Sequence, residues 1–196
     1  MSYSAEHKQH VRSKIIESAR VLFNRHGFED VTIDSIMKFA GLTRGGFYNH
    51  FKSKDNLYSE AVSSFLMGRG AQWREEAGIE PTNLNPEMAR QMIQSYLSSE
   101  HLGDLDGQCP MIALPSDVAR AKPEVQASYQ YLLEAMVGLF ENSLEKRPSE
   151  ARQKALSLAA LCVGGMILAR TLPNSDLAKE VQRAALQTAD EITRQQ

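Results

Sequence analysis

Apolar positions along this chain recur at helical spacing, and no stretch alternates apolar and polar residues as a half-buried strand would. Val11, Ile15, Ala19, Leu22 and Phe23 form one stripe, predicting a first helix over about 6–26 that Gly27 stops. Ile33, Ile36 and Ala40 share a face in a short second helix opening at Thr32, and Gly41 ends it. Leu42 packs back, and Thr43 caps a third helix running through His50 with Phe47 and Phe51 turned inward. Phe28 and Val31 bridge the first helix to this pair. Ser53 caps a fourth helix to about 77 carrying Leu57, Ala61, Phe65 and Trp73. The run 78–86 (GIEPTNLNP) reads as a loop. A fifth helix follows over 86–101, a loop over 103–107, and a sixth helix from 108–110 to about 120. Pro123 opens a seventh to about Lys146, Pro148 starts an eighth at Ser149 that ends before Pro173, and Asn174 or Ser175 caps a last one to about 194. The predicted fold is all-α, with no internal repeat.

The stretch 32–54, TIDSIMKFAGLTRGGFYNHFKSK, carries the most chemistry. Two short helices joined by a tight turn containing Gly make a helix-turn-helix. The second presents Thr43, Arg44, Tyr48, Asn49 and His50 outward, all able to hydrogen-bond. Gly45 and Gly46 each cost a helix roughly 1 kcal/mol against Ala, and a use for them is to let the backbone lie close to a sugar-phosphate strand. A core hairpin with a polar outer face is the plainer reading of the spacing alone.

Residues from about 10 to 58, with the run IIESARVLFNRHGFEDVTIDSIMKFAGLTRGGFYNHFKSKDNLY, resemble the DNA-binding domain of the tetracycline-repressor (TetR) family of bacterial one-component regulators. The match rests on Ala19, Phe23, Gly27 and Thr32, on Ile36, Ala40 and Gly41, and on Phe47, Tyr48, His50, Phe51, Lys54 and Leu57. The resemblance implies an N-terminal three-helix domain over 1–58 and a C-terminal helical domain for effector binding and dimerisation over 59–196. It implies double-stranded DNA as partner, an inverted-repeat operator, and a small-molecule effector in the helical body. Carried onto this chain, Thr32 and Lys54 would grip phosphates, with Tyr48 and His50 at the backbone beside the groove. Thr43, Arg44, Gly45 and Asn49 would face bases, with Gly46 allowing close approach. Arg44 has the fork that matches guanine and Asn49 suits adenine. Lys54 as a solvated surface lysine and His50 as a helix cap are the structural alternatives.

Charge adds a little. Residues 1–60 hold nine Lys and Arg against seven Asp and Glu, a net +2, while 61–196 hold thirteen against seventeen, a net −4. A slightly basic head on an acidic body fits DNA binding. Cys109 and Cys162 lack paired spacing, which excludes a disulfide scaffold and suits a reducing cytoplasm. The longest uncharged run, 155–169, falls short of the ~20 residues that span a bilayer, so a buried helix is expected and no membrane partner. No cofactor or metal is expected, and no enzyme: there is no metal-ligand cluster, phosphate loop or nucleophile with a base beside it.

In the body, the runs LSLAALCVGGMILAR and DLAKEVQRAALQTADEI are rich in Ala and Gly and suit a homodimer through helices at 149–172 and 175–194. Phe65, Trp73, Met92, Tyr96, Cys109, Met111, Tyr129 and Met136 are candidate effector contacts, since Met and aromatic side chains make adaptable pockets. Taken singly, a Met or aromatic at helical spacing is more often plain core; as a set, eight Met in 196 residues suit a malleable pocket. Cys109 precedes Pro110, where a helix should begin, and a helix N-terminus lowers a thiol pKa; an electrophile- or oxidant-sensing role follows if the thiol is reactive. His101 is the one nearby base in the body, and a buried inert thiol is the alternative. The reading is a dimeric regulator, a repressor released by its effector; a ligand-binding or thiol-dependent protein with an idle helix-turn-helix is the other class.

Overall fold

A computed structural model describes residues 5–144, 148–173 and 175–194, and among them all regular structure is helical. Helix α1 (Ala5–Asp30) runs straight to Gly27, whose φ of 77° breaks its geometry where the sequence predicts the stop. Its predicted stripe is buried apart from half-buried Val11. Helix α2 (Ile33–Phe39) opens on a capping box: the Thr32 hydroxyl accepts from the Ser35 N–H and the Ser35 hydroxyl from the Thr32 N–H, each at 3.0 Å. At its end Leu42 N–H donates to the Met37 carbonyl (2.8 Å) and Gly41 N–H to that of Lys38 (3.0 Å). This is a Schellman turn, and Gly41 takes the left-handed conformation it needs, φ 67°.

Four predicted helices differ from the structure. The run after Thr43 is a 3₁₀ helix (Arg44–Asn49), and Thr43 makes no side-chain cap bond; two consecutive glycines leave too little helix propensity for an α turn. The fourth helix is two, α3 (Lys54–Ser64) and α4 (Arg69–Glu76). A Cβ at Gly70 would sit 2.7 Å from the Phe65 carbonyl oxygen, so the chain doubles back there more tightly than a side chain permits. The fifth divides into α5 (Pro86–Tyr96) and α6 (Ser99–Gly103), because Ser98 caps the second piece by accepting from the His101 N–H. The sixth divides into α7 (Pro110–Ala113) and α8 (Pro115–Arg120), since Pro115 has no N–H to continue α7.

Helices α9 (Pro123–Ser143), α10 (Pro148–Thr171) and α11 (Asp176–Arg194) complete the body. The seventh helix's predicted end at Lys146 and the cap at Asn174 fall outside the described residues, while Ser175 Oγ accepts from Leu177 N–H at the start of α11. Helix α10 packs against α9 and α11, α9 against α3, and α3 against α1. One continuous apolar cluster runs from Ile15 in α1 to Ala189 in α11, so head and body share a core.

Helix α10 corrects the expectation of a buried helix. The segment Glu150–Thr171 is long and apolar enough, by length and composition, to cross a membrane, yet only 39% of its most apolar window is buried. Ala155, Leu158, Ala159, Cys162, Met166 and Ala169 face inward, while Leu156 and Leu168 are about half exposed. Gly165 is used inside the chain: a Cβ there would meet that of Ala185 at 2.9 Å, so it sets the close approach of α10 and α11.

Candidate functional site

The Arg44–Asn49 segment is held from below and open above. Phe47 is fully buried, and its ring lies 5.7 Å from that of Phe51. Above them Thr43, Arg44, Gly45, Tyr48 and Asn49 are exposed, Tyr48 by 63%. A side chain at Gly45 would meet nothing within 4 Å, whereas one at Gly46 would touch the Met37 side chain. Arg44 lies 3.1 Å from the Asp34 carboxylate, a pair exposed on both sides and hence weak. Every residue predicted to face bases is therefore exposed.

Of the flanking residues, Thr32 and Tyr48 are exposed, whereas His50 and Lys54 are partly buried. Thr32 caps α2. Lys54 begins α3 behind the Ser53 cap, and its ammonium sits 4.1 Å above the Phe28 ring. Burial lowers its pKa, with Glu29, Asp55, Asp117 and Asp30 acting in the opposite direction. It is thus a half-buried cation rather than a freely solvated one. His50 caps the 3₁₀ helix through its N–H to the Phe47 carbonyl (2.9 Å), so the structural alternative holds for its backbone. Its Nδ1 is buried without a hydrogen bond, and burial, then Lys8 and Arg12, push its pKa down.

In the body, an apolar cavity of about 40 Å³ opens between α3, α4, α5, α6, α7 and α9. Phe65, Trp73, Met92, Tyr96, Cys109, Met111 and Met136 line it, so the helical fold brings together all the predicted effector residues except Tyr129. Tyr129 instead donates its hydroxyl to the Met111 carbonyl at 3.1 Å and supports that wall from behind. Leu66, Arg74, His101, Leu132 and Leu139 complete the lining. Sequence reasoning missed Arg74 because nothing in its spacing separates it from a surface arginine. Trp73 and His101 also line a cleft of about 520 Å³ of mixed polarity outside, and their tilted rings, centroids 5.3 Å apart, stand between the two spaces.

Cys109 overturns the expectation of a reactive thiolate. It is 1% exposed, and burial pushes its pKa up to about 11. The helix it precedes has only four residues, too short for a dipole that could offset desolvation. His101 makes a poor helper, since burial lowers its pKa and its Nδ1 faces the Tyr96 carbonyl at 2.9 Å.

A polar junction joins this wall to the head. Asn24 of α1 donates to the Gln108 carbonyl at 2.7 Å, and Arg20 to the Asp106 carbonyl at 2.6 Å. Arg170 of α10 bonds the Gln108 side chain and also donates to the Asn24 carbonyl at 2.8 Å. Asn24 and Gln108 are essentially inaccessible. The signal for this junction lay in α1, where Arg20 and Asn24 stand four apart beside the apolar stripe.

Comparison with known proteins agrees with this layout. Residues 15–61 match the family described as bacterial regulatory proteins, tetR family. An uncharacterized HTH-type transcriptional regulator of Bacillus subtilis, YfiR, is 33% identical over 61 residues, covering 31% of this chain and 30% of its own length. The HTH-type transcriptional regulator AcrR of Shigella flexneri is 42% identical over 52 residues, 26% of this chain and 24% of its own. The matched region thus spans about a third or less of these relatives. Over the whole chain the fold is similar to the reduced form of Escherichia coli NemR, with a TM-score of 0.73 at 16% identity, covering 93% of this chain and 96% of that one.

Proposed function

We propose that the chain, whose residues 15–61 match the tetR family of bacterial regulatory proteins, acts as a homodimeric, cytoplasmic, DNA-binding repressor of that family, released from its operator by a small molecule. The observation that carries this reading is the open face of the 3₁₀ helix, where four hydrogen-bonding side chains stand on a rigidly packed Phe47. In this reading Thr43, Arg44 and Asn49 read base edges, and Gly45 lets a strand approach. Thr32, Tyr48, His50 and Lys54 hold the backbone, the last at a helix N-terminus where an anion is favoured. The reading head comprises residues 1–58 and the effector and dimerisation domain 59–196.

One such head spans few base pairs, so two are needed on two half-sites. The stripe Leu156, Ala160, Gly164 and Leu168 on α10 and Leu177 on α11 lies at the surface at helical spacing and would pair across a two-fold axis. The apolar cavity is the effector site. Filling it would push on the wall at Cys109, whose neighbour Gln108 the Asn24–Gln108–Arg170 junction ties to α1, and so alter the spacing of the two heads. An electrophilic or oxidising effector would have to meet Cys109 in an opened cavity.

The test is to mix the purified protein with fragmented DNA of its source genome, recover the bound pieces and sequence them. Enrichment of one short inverted repeat is the expected result. Recovery of random fragments by folded dimer would refute specific operator binding.

A further inference from the structure

An arginine lines the apolar cavity without a carboxylate partner. Arg74 of α4 stands beside Leu66, Met136 and Leu139, and its Nη2 donates to the Leu66 carbonyl at 2.8 Å. No ion pair reaches it among the described residues, unlike Arg69 on the same helix, which Glu76 and Asp104 hold at 2.9 and 3.0 Å. Burial lowers the Arg74 pKa, and no acidic neighbour acts to raise it. A guanidinium has five N–H donors in a planar fork that matches a carboxylate. Keeping such a cation half-buried on a single carbonyl costs free energy that an anion would return.

We propose that the effector is an apolar carboxylic acid, whose carboxylate pairs with Arg74 while its body packs against Met92, Met111, Met136 and Trp73. This rests on the cavity being the effector site. The acid's orientation follows from charge. The cleft beyond Trp73 and His101 carries Glu76, Glu100 and Asp104 against Arg69 alone, which repels a carboxylate and leaves Arg74 as its partner. The cavity of about 40 Å³ is far below the ~300 Å³ or more of occupied ligand sites, so the acid enters by moving side chains. Methionine, with three rotatable bonds and low packing specificity, is the residue that moves at least cost.

Trp73 is the chain's only tryptophan, so its fluorescence reports on the cavity directly. The full-length protein is titrated with octanoate and hydrocinnamate, and with octanol and hydrocinnamyl alcohol as uncharged counterparts. The acids should bind about 10- to 100-fold more tightly than the alcohols, the range of a charge-assisted pair. Arg74→Met should erase that preference while leaving alcohol binding within about twofold, and Arg74→Lys should restore part of it. Thermal melts establish that each variant is folded, and retained alcohol binding shows the cavity intact. Equal affinity for acid and alcohol, or acid binding unchanged in folded Arg74→Met, would overturn the carboxylate assignment and leave the cavity as effector site. No response of Trp73 to any of the four probes would overturn both.

Discussion

Cys109 gives the sharpest quantitative expectation, because burial and reactivity make opposite demands on it. The thiolate is the reacting form, so rate follows the ionised fraction. With the pKa pushed from its ordinary 9.0 up to about 11, roughly one thiol in ten thousand is ionised at pH 7, instead of roughly one in a hundred. A more basic thiolate is the better nucleophile and offsets part of this loss, so ionisation alone should slow the native protein about tenfold against its unfolded chain, before the 1% exposure of the residue slows it further. Transient opening does not change the slope, since the protonated buried thiol remains the reservoir from which open thiolate is drawn. The assay uses Cys162→Ala protein, to remove the second buried thiol, and a chromogenic disulfide reagent between pH 7 and 10.5. The rate should climb about tenfold per pH unit through pH 9 without levelling. A plateau at or below pH 8 would show a thiol of lowered pKa, and the argument that burial dominates the short α7 N-terminus would be wrong.

Other predictions concern the head, the junction and the dimer. Arg44→Ala should cost about 1–3 kcal/mol on the operator and relax one base position, while Lys54→Ala weakens all duplexes alike; equal losses for Arg44→Ala on operator and scrambled DNA count against base reading. Arg170→Ala strips charged donors from buried Gln108 and from the Asn24 carbonyl, and should lower stability by about 2–3 kcal/mol in urea unfolding. A shift below ~0.5 kcal/mol would mean that the junction relaxes around water instead. Leu168→Glu puts a charge at the C-terminal end of the exposed α10 stripe, so sedimentation should show monomers and operator binding should fail together. A dimer that survives this change has its interface elsewhere.

What the sequence disclosed and what it hid follow from the range of the interactions. Helix starts and stops are local, and Gly27, Thr32, Gly41 and Ser53 act where their chemistry says they should. Apolar periodicity continues across the breaks at 65–68, 97–98 and 114 and hides them. Only close approach of backbone to backbone at Gly70, a serine cap at 98 and the missing N–H of Pro115 divide the helices. The reading face was legible because the chain closes an α-type turn there, Phe51 N–H donating to the Phe47 carbonyl at 3.1 Å, which puts both rings on the inner side.

The cavity was legible as a set of adaptable residues, but its charge was not. Met92, Tyr96, Met111 and Met136 announce an apolar space by composition, and Trp73 by size. Whether Arg74 and Cys109 are wet or dry depends on how α4 folds back after Gly68 and how α7 is pressed under α10, contacts that no local pattern encodes. The same folding-back sets the chemistry in opposite ways for the two residues. It suppresses the thiol by removing water from it, and it primes the guanidinium by removing water without supplying an acid. An effector that brings an anion to Arg74 would thus gain from a cost already built into the fold, whereas one that attacks Cys109 must first undo the packing that protects it.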